Sequence, residues 1–455
     1  MTAQTILPAN SVTGGFEVAN SLRFDNNAYM QSGNTNSTNN PWTFSVWIKR
    51  AKVGAEQTLI MSYTDSNDFG LIRFGSDDTL LIGDYVNGSY VMKYETNRKF
   101  RDVSAWYHIV VSQSAVSGAS PATLLYVNGV QETSFGTSNA YSQNDTQNWQ
   151  KDGENFNFMM GQGEHYQQAY VCEAVWIDNT VYAASDFGEF DEDSGIWKPK
   201  DPSGLNFGTN GFYFDFADSG NLGDNEAGNS RADFSENNIA ATDQATDTCT
   251  NNFCTMNPLI LNSEFTFSEG NCKMVASGSD STGAGIGTFG MTQGKWYWEV
   301  KLIADKDNHT HGAISELTAE FNAGASALQN DVGVTSWING DGGEVVVDGT
   351  ATTADYGIMA ENSIMGIALD IDNYNITYLD DNSALVSNFN MSSTRGTIFP
   401  LIKMGINCAA EVNFGGCSAF AVSSANSDAD GHGNFEHAPP SGYFAICSKN
   451  LAEYG

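Results

Sequence analysis

The run Glu189-Phe190-Asp191-Glu192-Asp193 comes nearest in this chain to the Glu-x-Asp-x-Glu arrangement that sets carboxyls on one face of a strand. Retaining glycosidases hold such a pair ~5–5.5 Å apart, one as nucleophile and one as acid. Here the run follows the last clear alternation of apolar residues, so it reads as a solvated acidic segment. Glu173 does stand among strand-forming residues, but Val175 occupies the position two further on. The six histidines are scattered, and neither a Gly-x-Ser-x-Gly elbow nor a glycine-rich phosphate loop occurs. His108, within Trp106-Tyr107-His108-Ile109-Val110-Val111, is expected to point outward or to be half-buried. No catalysis is expected.

Binding chemistry is better supplied. A glycan offers hydroxyl groups and one apolar ring face, so its site needs Asn, Asp or Gln beside an exposed aromatic ring. Tyr63, Asp65 and Asn67 form one such set, Asp84, Tyr85 and Asn87 a second, and Trp149 beside Asn148 a third. In the second half Trp337, Asn339 and Asp341, with Tyr356, offer a comparable group. A metal reading attaches to Asp305, Asp307, His309 and His311, whose alternate positions would converge along an extended strand. Two imidazoles suit a transition ion. A solvated loop is the alternative for that segment.

Acidic residues outnumber basic ones 54 to 20, a formal charge of −34 over 455 residues. Neutralising phosphates takes a cationic surface, so nucleic acid is not expected as a partner. Anionic lipid is opposed on the same ground. No apolar run approaches the ~20 residues of a spanning helix, so membrane insertion is not expected. The opening residues show no basic region followed by an apolar stretch, hence no visible secretory signal. Seven cysteines (172, 249, 254, 272, 408, 417 and 447) contain no Cys-x-x-Cys pair, which speaks against a zinc knuckle or redox motif. Cys249 and Cys254 are near enough to bridge across a loop; buried, reduced thiols are the alternative.

The elements that must present these residues are strands. Only 16% of residues are charged, Gly numbers 46, and Asn, Ser and Thr are abundant, a composition that fits strands with polar turns. In Trp42-Thr43-Phe44-Ser45-Val46-Trp47-Ile48 aromatic and aliphatic residues alternate with small polar ones. The same period of two recurs through Gly70–Phe74, Leu80–Gly83, Trp106–Val111 and Leu124–Val127, with turns such as Asn87-Gly88 and Asn128-Gly129. Many short alternating strands predict a two-sheet sandwich. After Gly211-Phe212-Tyr213-Phe214-Asp215-Phe216 the chain is poor in apolar residues through Asp247. The expected fold class is therefore all-β: two antiparallel β-sandwich (jelly-roll) domains joined by an irregular acidic connector. The expected divisions are an N-terminal arm over 1–19, a first domain over 20–216, the connector over 217–257, a second domain over 258–445 and a tail over 446–455.

The order WTFSVWIKR, FRDVSAWYHIVVS, LLYVNGVQ and AYVCEAVWIDNTVYAASDF resembles the concanavalin A-like, laminin-G-type jelly roll. Tyr170-Val171-Cys172-Glu173-Ala174-Val175 fills that family's late strand, with Ala169 where glycine is frequent. The resemblance implies calcium held by loop oxygens, for which Asp215, Asp218, Asn221 and Asp224 cluster in sequence; plain loop capping is the alternative. No cofactor is otherwise implied.

Gly294-Lys295-Trp296-Tyr297-Trp298-Glu299-Val300, Val332-Gly333-Val334, Met365–Asp370, Asn375–Leu379, Phe399-Pro400 and Asn413-Phe414-Gly415 are similar in order to the SPRY family, another sandwich. Two departures stand out. Leu379-Asp380-Asp381-Asn382 replaces the usual Asn-Gly, which predicts a longer or differently shaped turn, and a polar insert runs from Asp305 to Asn330.

The pairing of these blocks, with the joint TCTNNFCTMNPL, resembles structural proteins of marine tailed bacteriophages. What that implies is a virion surface protein of the phage tail or head, of tail-fibre or receptor-binding type. Its partners would be host cell-surface polysaccharide and other phage structural proteins. Copies would be arrayed, a trimer by how fibres are built, so that weak sites act together. A head-decoration or tail-scaffold protein is the alternative, and a polysaccharide depolymerase a second one.

Overall fold

The computed structural model describes residues 15–34, 40–118, 120–149, 151–259, 265–276, 283–304, 310–316, 333–339, 342–391, 396–405 and 407–455. The chain divides into two compact units, with Val12–Thr250 as one and Asn251–Gly455 forming the body of the other. Both are built of sheets that are antiparallel, as the alternation predicts, save for Phe444–Ala445, which runs parallel to Lys295–Ala304. Among the described residues the one α-helix is Ser448–Tyr454.

In the first unit, parity decides which side chains meet. Along Trp42–Arg50 the residues Trp42, Phe44, Val46 and Ile48 enter the core, while Ser45, Trp47 and Lys49 face the other side. That strand pairs with Tyr107–Gln113 on one edge and with Ala169–Asp178 on the other. The sheet continues through Ser21–Phe24 to Gln244–Ala245. Opposite it lies a second sheet in the order Phe135–Asn139, Ser89–Lys99, Thr79–Val86, Asp68–Phe74, Gln57–Asp65, Asn155–Phe158, Tyr29–Gly33, Ser235–Asn237. Trp42, Trp149, Trp176, Phe156 and Phe212 fill the space between the sheets. Each fully buried large apolar side chain contributes about 1.5–3 kcal/mol.

Residues 217–250, read from the sequence as connector, belong to this first unit. Phe216, Leu222 and Phe234 are core residues, and Ser235–Asn237 and Gln244–Ala245 each extend a sheet. Two strands of two and three residues carry too little alternation to be seen in sequence, which is why this stretch looked irregular.

In the second unit one sheet runs Phe265–Ser268, Lys273–Ala276, Ala409–Asn413, Lys295–Ala304, Ile364–Asp370, Asn375–Asp380, Ser383–Asn390. The facing sheet runs Gly283–Ile286, Ile398–Met404, Thr310–Glu316, Val334–Ile338, Val345–Val347, Thr350–Ala351. Part of the supposed polar insert is thus a strand, Thr310–Glu316, paired on both sides. The turn at Asp381-Asn382 is no longer than Asn-Gly: Asp380 pairs directly with Ser383, and both turn residues take positive φ, 42° and 66°. Asp and Asn tolerate that conformation, which a two-residue hairpin requires. Ile446, placed in the tail from sequence, is a core residue of this unit.

Candidate functional site

The first unit's second sheet has two faces, and only one is spent on the core. Ile60, Ile72, Phe74, Leu80 and Ile82 point inward. Met61, Phe69, Leu71 and Leu81 form a separate apolar cluster on the outer face, with Tyr63 and Tyr85 packed against it. Phe69 and Tyr85, paired across neighbouring strands, stack at 5.0 Å and 21°. Tyr85 meets Tyr90 edge-on at 4.9 Å and 71°. Tyr90 lies across Gly83, where a Cβ would come 2.7 Å from its ring.

These rings line a groove of about 340 Å³, whose walls also include Thr58, Ser66, Arg73, Gln162 and His165. Arg73 is paired with Glu56 at 3.1 Å, and His165 Nε2 stands 3.6 Å from Glu56 and 3.4 Å from Glu164. The loop bearing Gln162 and His165 is anchored by the Thr58 N–H donating to the His165 carbonyl at 2.8 Å. Both loop residues have positive φ, 47° and 56°. Burial pushes the Tyr90 hydroxyl above its ordinary range, opposed by the neighbouring Arg73 and Lys93. The groove therefore combines ring faces with fixed donors and acceptors at its rim.

Of the residues singled out in sequence, Tyr85 lines this groove and half-buried Tyr63 joins its apolar patch. Asp65 is exposed and caps its own turn, accepting from the Asn67 N–H at 2.7 Å. Exposed Asn67 and Asn87 sit on neighbouring hairpin turns, with Asn87 N–H donating to Asp68 at 3.1 Å. Asp84 and Trp149 do not serve there. Asp84 faces the interior and accepts from the Tyr141 hydroxyl at 2.6 Å and from Asn148 N and Nδ2 at 3.0 and 2.9 Å. Burial pushes its carboxyl up to about 7. Trp149 packs 5.0 Å from Trp42 and 5.4 Å from Trp176. Asp84 faces inward by strand parity, whereas Trp149 lies on a loop and packs against Gly70, where a Cβ would come 2.7 Å from its ring.

The second unit's set is likewise internal. Trp337 is fully buried, and Asn339 holds the Met359 backbone at both ends, donating at 3.1 Å and accepting at 2.7 Å. Tyr356 is half-buried against the core, and Asp341 lies outside the described residues. Asp305, Asp307, His309 and the side chain of His311 also lie outside them.

The calcium set does not converge. Asp215 and Asp218 cap turns by accepting from the N–H groups of Ala217 and Gly220, at 2.9 and 2.8 Å. Asn221 donates to Asp233 at 3.2 Å, and Asp224 is held above its ordinary value by burial and then by Asp233. Among the described residues no three His, Cys, Asp or Glu side chains gather to hold a metal ion.

The acidic run also has structural work. Gly188–Phe190 pairs with Trp197–Pro199, and Asp191 is pulled down to about 2 by hydrogen bonds from Ser194. Glu173 sits at a bulge with φ 49°, accepts from the Tyr213 hydroxyl at 2.8 Å, and is pushed up to about 8 by burial. His108, expected near the surface, is fully buried between Trp47 and Trp197. Trp197 Nε1 donates to its Nδ1 at 2.9 Å, so Nε2 carries the proton and faces Ser45 Oγ at 2.9 Å. Burial holds this imidazole down at about 3. All seven cysteines are buried and none is in a disulfide, and the Cys249 thiol is hydrogen-bonded with that of Cys172.

Comparison with known proteins agrees with the first unit's architecture. Residues 24–173 match the laminin-G-type family described as the concanavalin A-like lectin/glucanases superfamily. The first unit has a concanavalin A-like jelly-roll fold. The chain is also similar to the SPRY domain of human HERC1, with TM-score 0.31 and 12% identity over 36% of this chain and 99% of that one. The TRIM65 PSpry domain is similar at TM-score 0.30 and 12% identity, over 35% of this chain and 88% of that one. No curated protein matches the chain.

The jelly roll's Met61, Phe69, Leu71, Arg73, Tyr90, Gln162 and His165 escaped sequence reasoning. Phe69, Leu71 and Arg73 alternate with the core residues Ile72 and Phe74, a legible signal. Nothing in the sequence places the distant Gln162–His165 loop above them.

Proposed function

We propose that this is a non-enzymatic carbohydrate-binding protein that takes a neutral sugar ring into the Phe69–Tyr85–Tyr90 groove. The observation that carries the reading is the aromatic cluster on the outer sheet face, where the half-buried rings of Tyr85 and Tyr90 line a groove beside the buried Phe69 and are edged by paired charges. A pyranose lays its C–H face on an aromatic ring and spends its hydroxyls on rim groups. Arg73 and Glu56 hold each other in place, so they present a donor and an acceptor with little further ordering cost. The concanavalin A-like fold suits carbohydrate or protein binding and supports the same reading.

The setting we propose is the surface of a tailed-phage virion, where arrayed copies attach to host polysaccharide. A single shallow groove binds weakly, and repetition raises the effective concentration. The test is a glycan array probed with multimerised protein. Saccharide binding that is weakened in both Tyr85→Ala and Tyr90→Ala, with folding intact, is the expected result. Binding unchanged by both substitutions would remove the groove from the account, and absence of any saccharide binding would favour a role in assembly with other virion proteins.

A further inference from the structure

On the other sheet of the first unit, Lys49 and Asp247 meet with both side chains 1% exposed and Nζ 2.8 Å from Oδ2. Lys49 lies on the central strand Trp42–Arg50, facing away from the core, and its Nζ sits 5.7 Å from the Tyr170 ring. Asp247 lies on the segment just beyond the Gln244–Ala245 edge strand. That segment is clamped: Ser21 Oγ donates to the Asp247 carbonyl at 2.6 Å, and Val18 N–H donates to Thr250 Oγ1 at 3.1 Å. The two carboxylate oxygens of Asp247 have different partners. Oδ2 faces the lysine, while Oδ1 accepts from Trp106 Nε1 at 3.2 Å.

We propose that Lys49 and Asp247 condense into an intramolecular amide, a covalent tie between the central strand and the segment that covers it. The buried pair already holds every atom the step needs. A proton passes from the ammonium to Oδ2, the nitrogen lone pair attacks Cγ, and negative charge builds on Oδ1, where the Trp106 N–H stabilises it. The C–Oδ2 bond then breaks, and Oδ2 leaves as water with a second proton from the nitrogen. No oxidant or further reactant enters.

Two physical terms favour the step. Contact distance and a fixed approach remove the entropic cost of bringing the groups together. A buried ion pair carries a desolvation penalty on both ions, whereas an amide carries no charge. Trp106 stays hydrogen-bonded to the same oxygen before and after.

Intact-mass measurement on the purified, denatured full chain decides the matter, followed by peptide mapping. The expected result is a chain lighter than its sequence by one water, with the peptides containing Lys49 and Asp247 recovered joined. Lys49→Arg keeps the charge but lacks the nucleophilic amine, and it should restore the full mass. A wild-type chain in which both peptides are recovered separately is an ordinary ion pair and overturns the proposal. A water deficit that persists in Lys49→Arg, mapped to another site, overturns it equally.

Discussion

Two groups of residues with the same chemistry meet opposite fates in the two units. Tyr85, on the jelly roll's second sheet, has its ring half-exposed in a groove, while Trp337 in the other unit is sealed in the core. Each was picked out because an aromatic ring stood near Asn and Asp. The difference is parity. Tyr85 occupies the outward position opposite Phe69, whereas Trp337 belongs to the inward set with Val345 and Tyr378. An aromatic residue near polar neighbours is a ligand platform only when its strand turns it away from the core.

Substitution should separate the two groups cleanly. Trp337→Ala is expected to cost about 3–5 kcal/mol through the cavity it leaves, seen as a large fall in the unfolding midpoint. Were that variant as stable as the parent, the inward assignment of the second set would be wrong.

Acid–base behaviour sharpens the contrast between buried and open polar groups. Glu173 has an ordinary value of 4.5 and is raised by burial to about 8 in the folded protein. The folded state therefore binds a proton more tightly than the unfolded chain, so this group's contribution is greatest below pH 4.5 and is lost as pH rises through 8. Glu173→Gln should flatten stability across that window and leave saccharide binding unchanged. Denaturation at several pH values measures it, and an unaltered slope would contradict the buried position.

Smaller effects are expected in the groove itself. Tyr85→Ala should weaken saccharide binding roughly tenfold, since an aromatic contact is worth about 0.5–1.5 kcal/mol beyond its buried area. Thermal stability should move little, because the ring is outside the main core. Gly83→Ala tests the same site without removing a ring. Its new Cβ would stand 2.7 Å from Tyr90, so Tyr90 must shift, and titration should show a modest loss of affinity with the fold retained. Equal affinity in parent and variant would mean that Tyr90's position is unimportant.

Much of the architecture was readable before any coordinates. Alternation in Trp42–Arg50 and in Lys295–Ala304 is strong because each strand is long and packs one face against a large core. The short strands Ser235–Asn237 and Gln244–Ala245 were not readable, since two or three residues cannot establish a period. The Asp381-Asn382 turn was misjudged because Asp and Asn reach the positive φ usually assigned to glycine.

Composition and alternation alone give the all-β class and the inward half of most strands, because a period of two is a local property of the chain. The grouping of the groove residues, by contrast, comes from tertiary contacts. Tyr85 and Tyr90 share one hairpin, but Arg73 and His165 are brought beside them by sheet order and by a loop from much later in the chain. Lys49 and Asp247 lie 198 positions apart and touch only because the segment after the edge strand brings Asp247 to the outer side of the central strand. Contacts of that range depend on which strands become neighbours, and residue spacing along the chain carries no record of it.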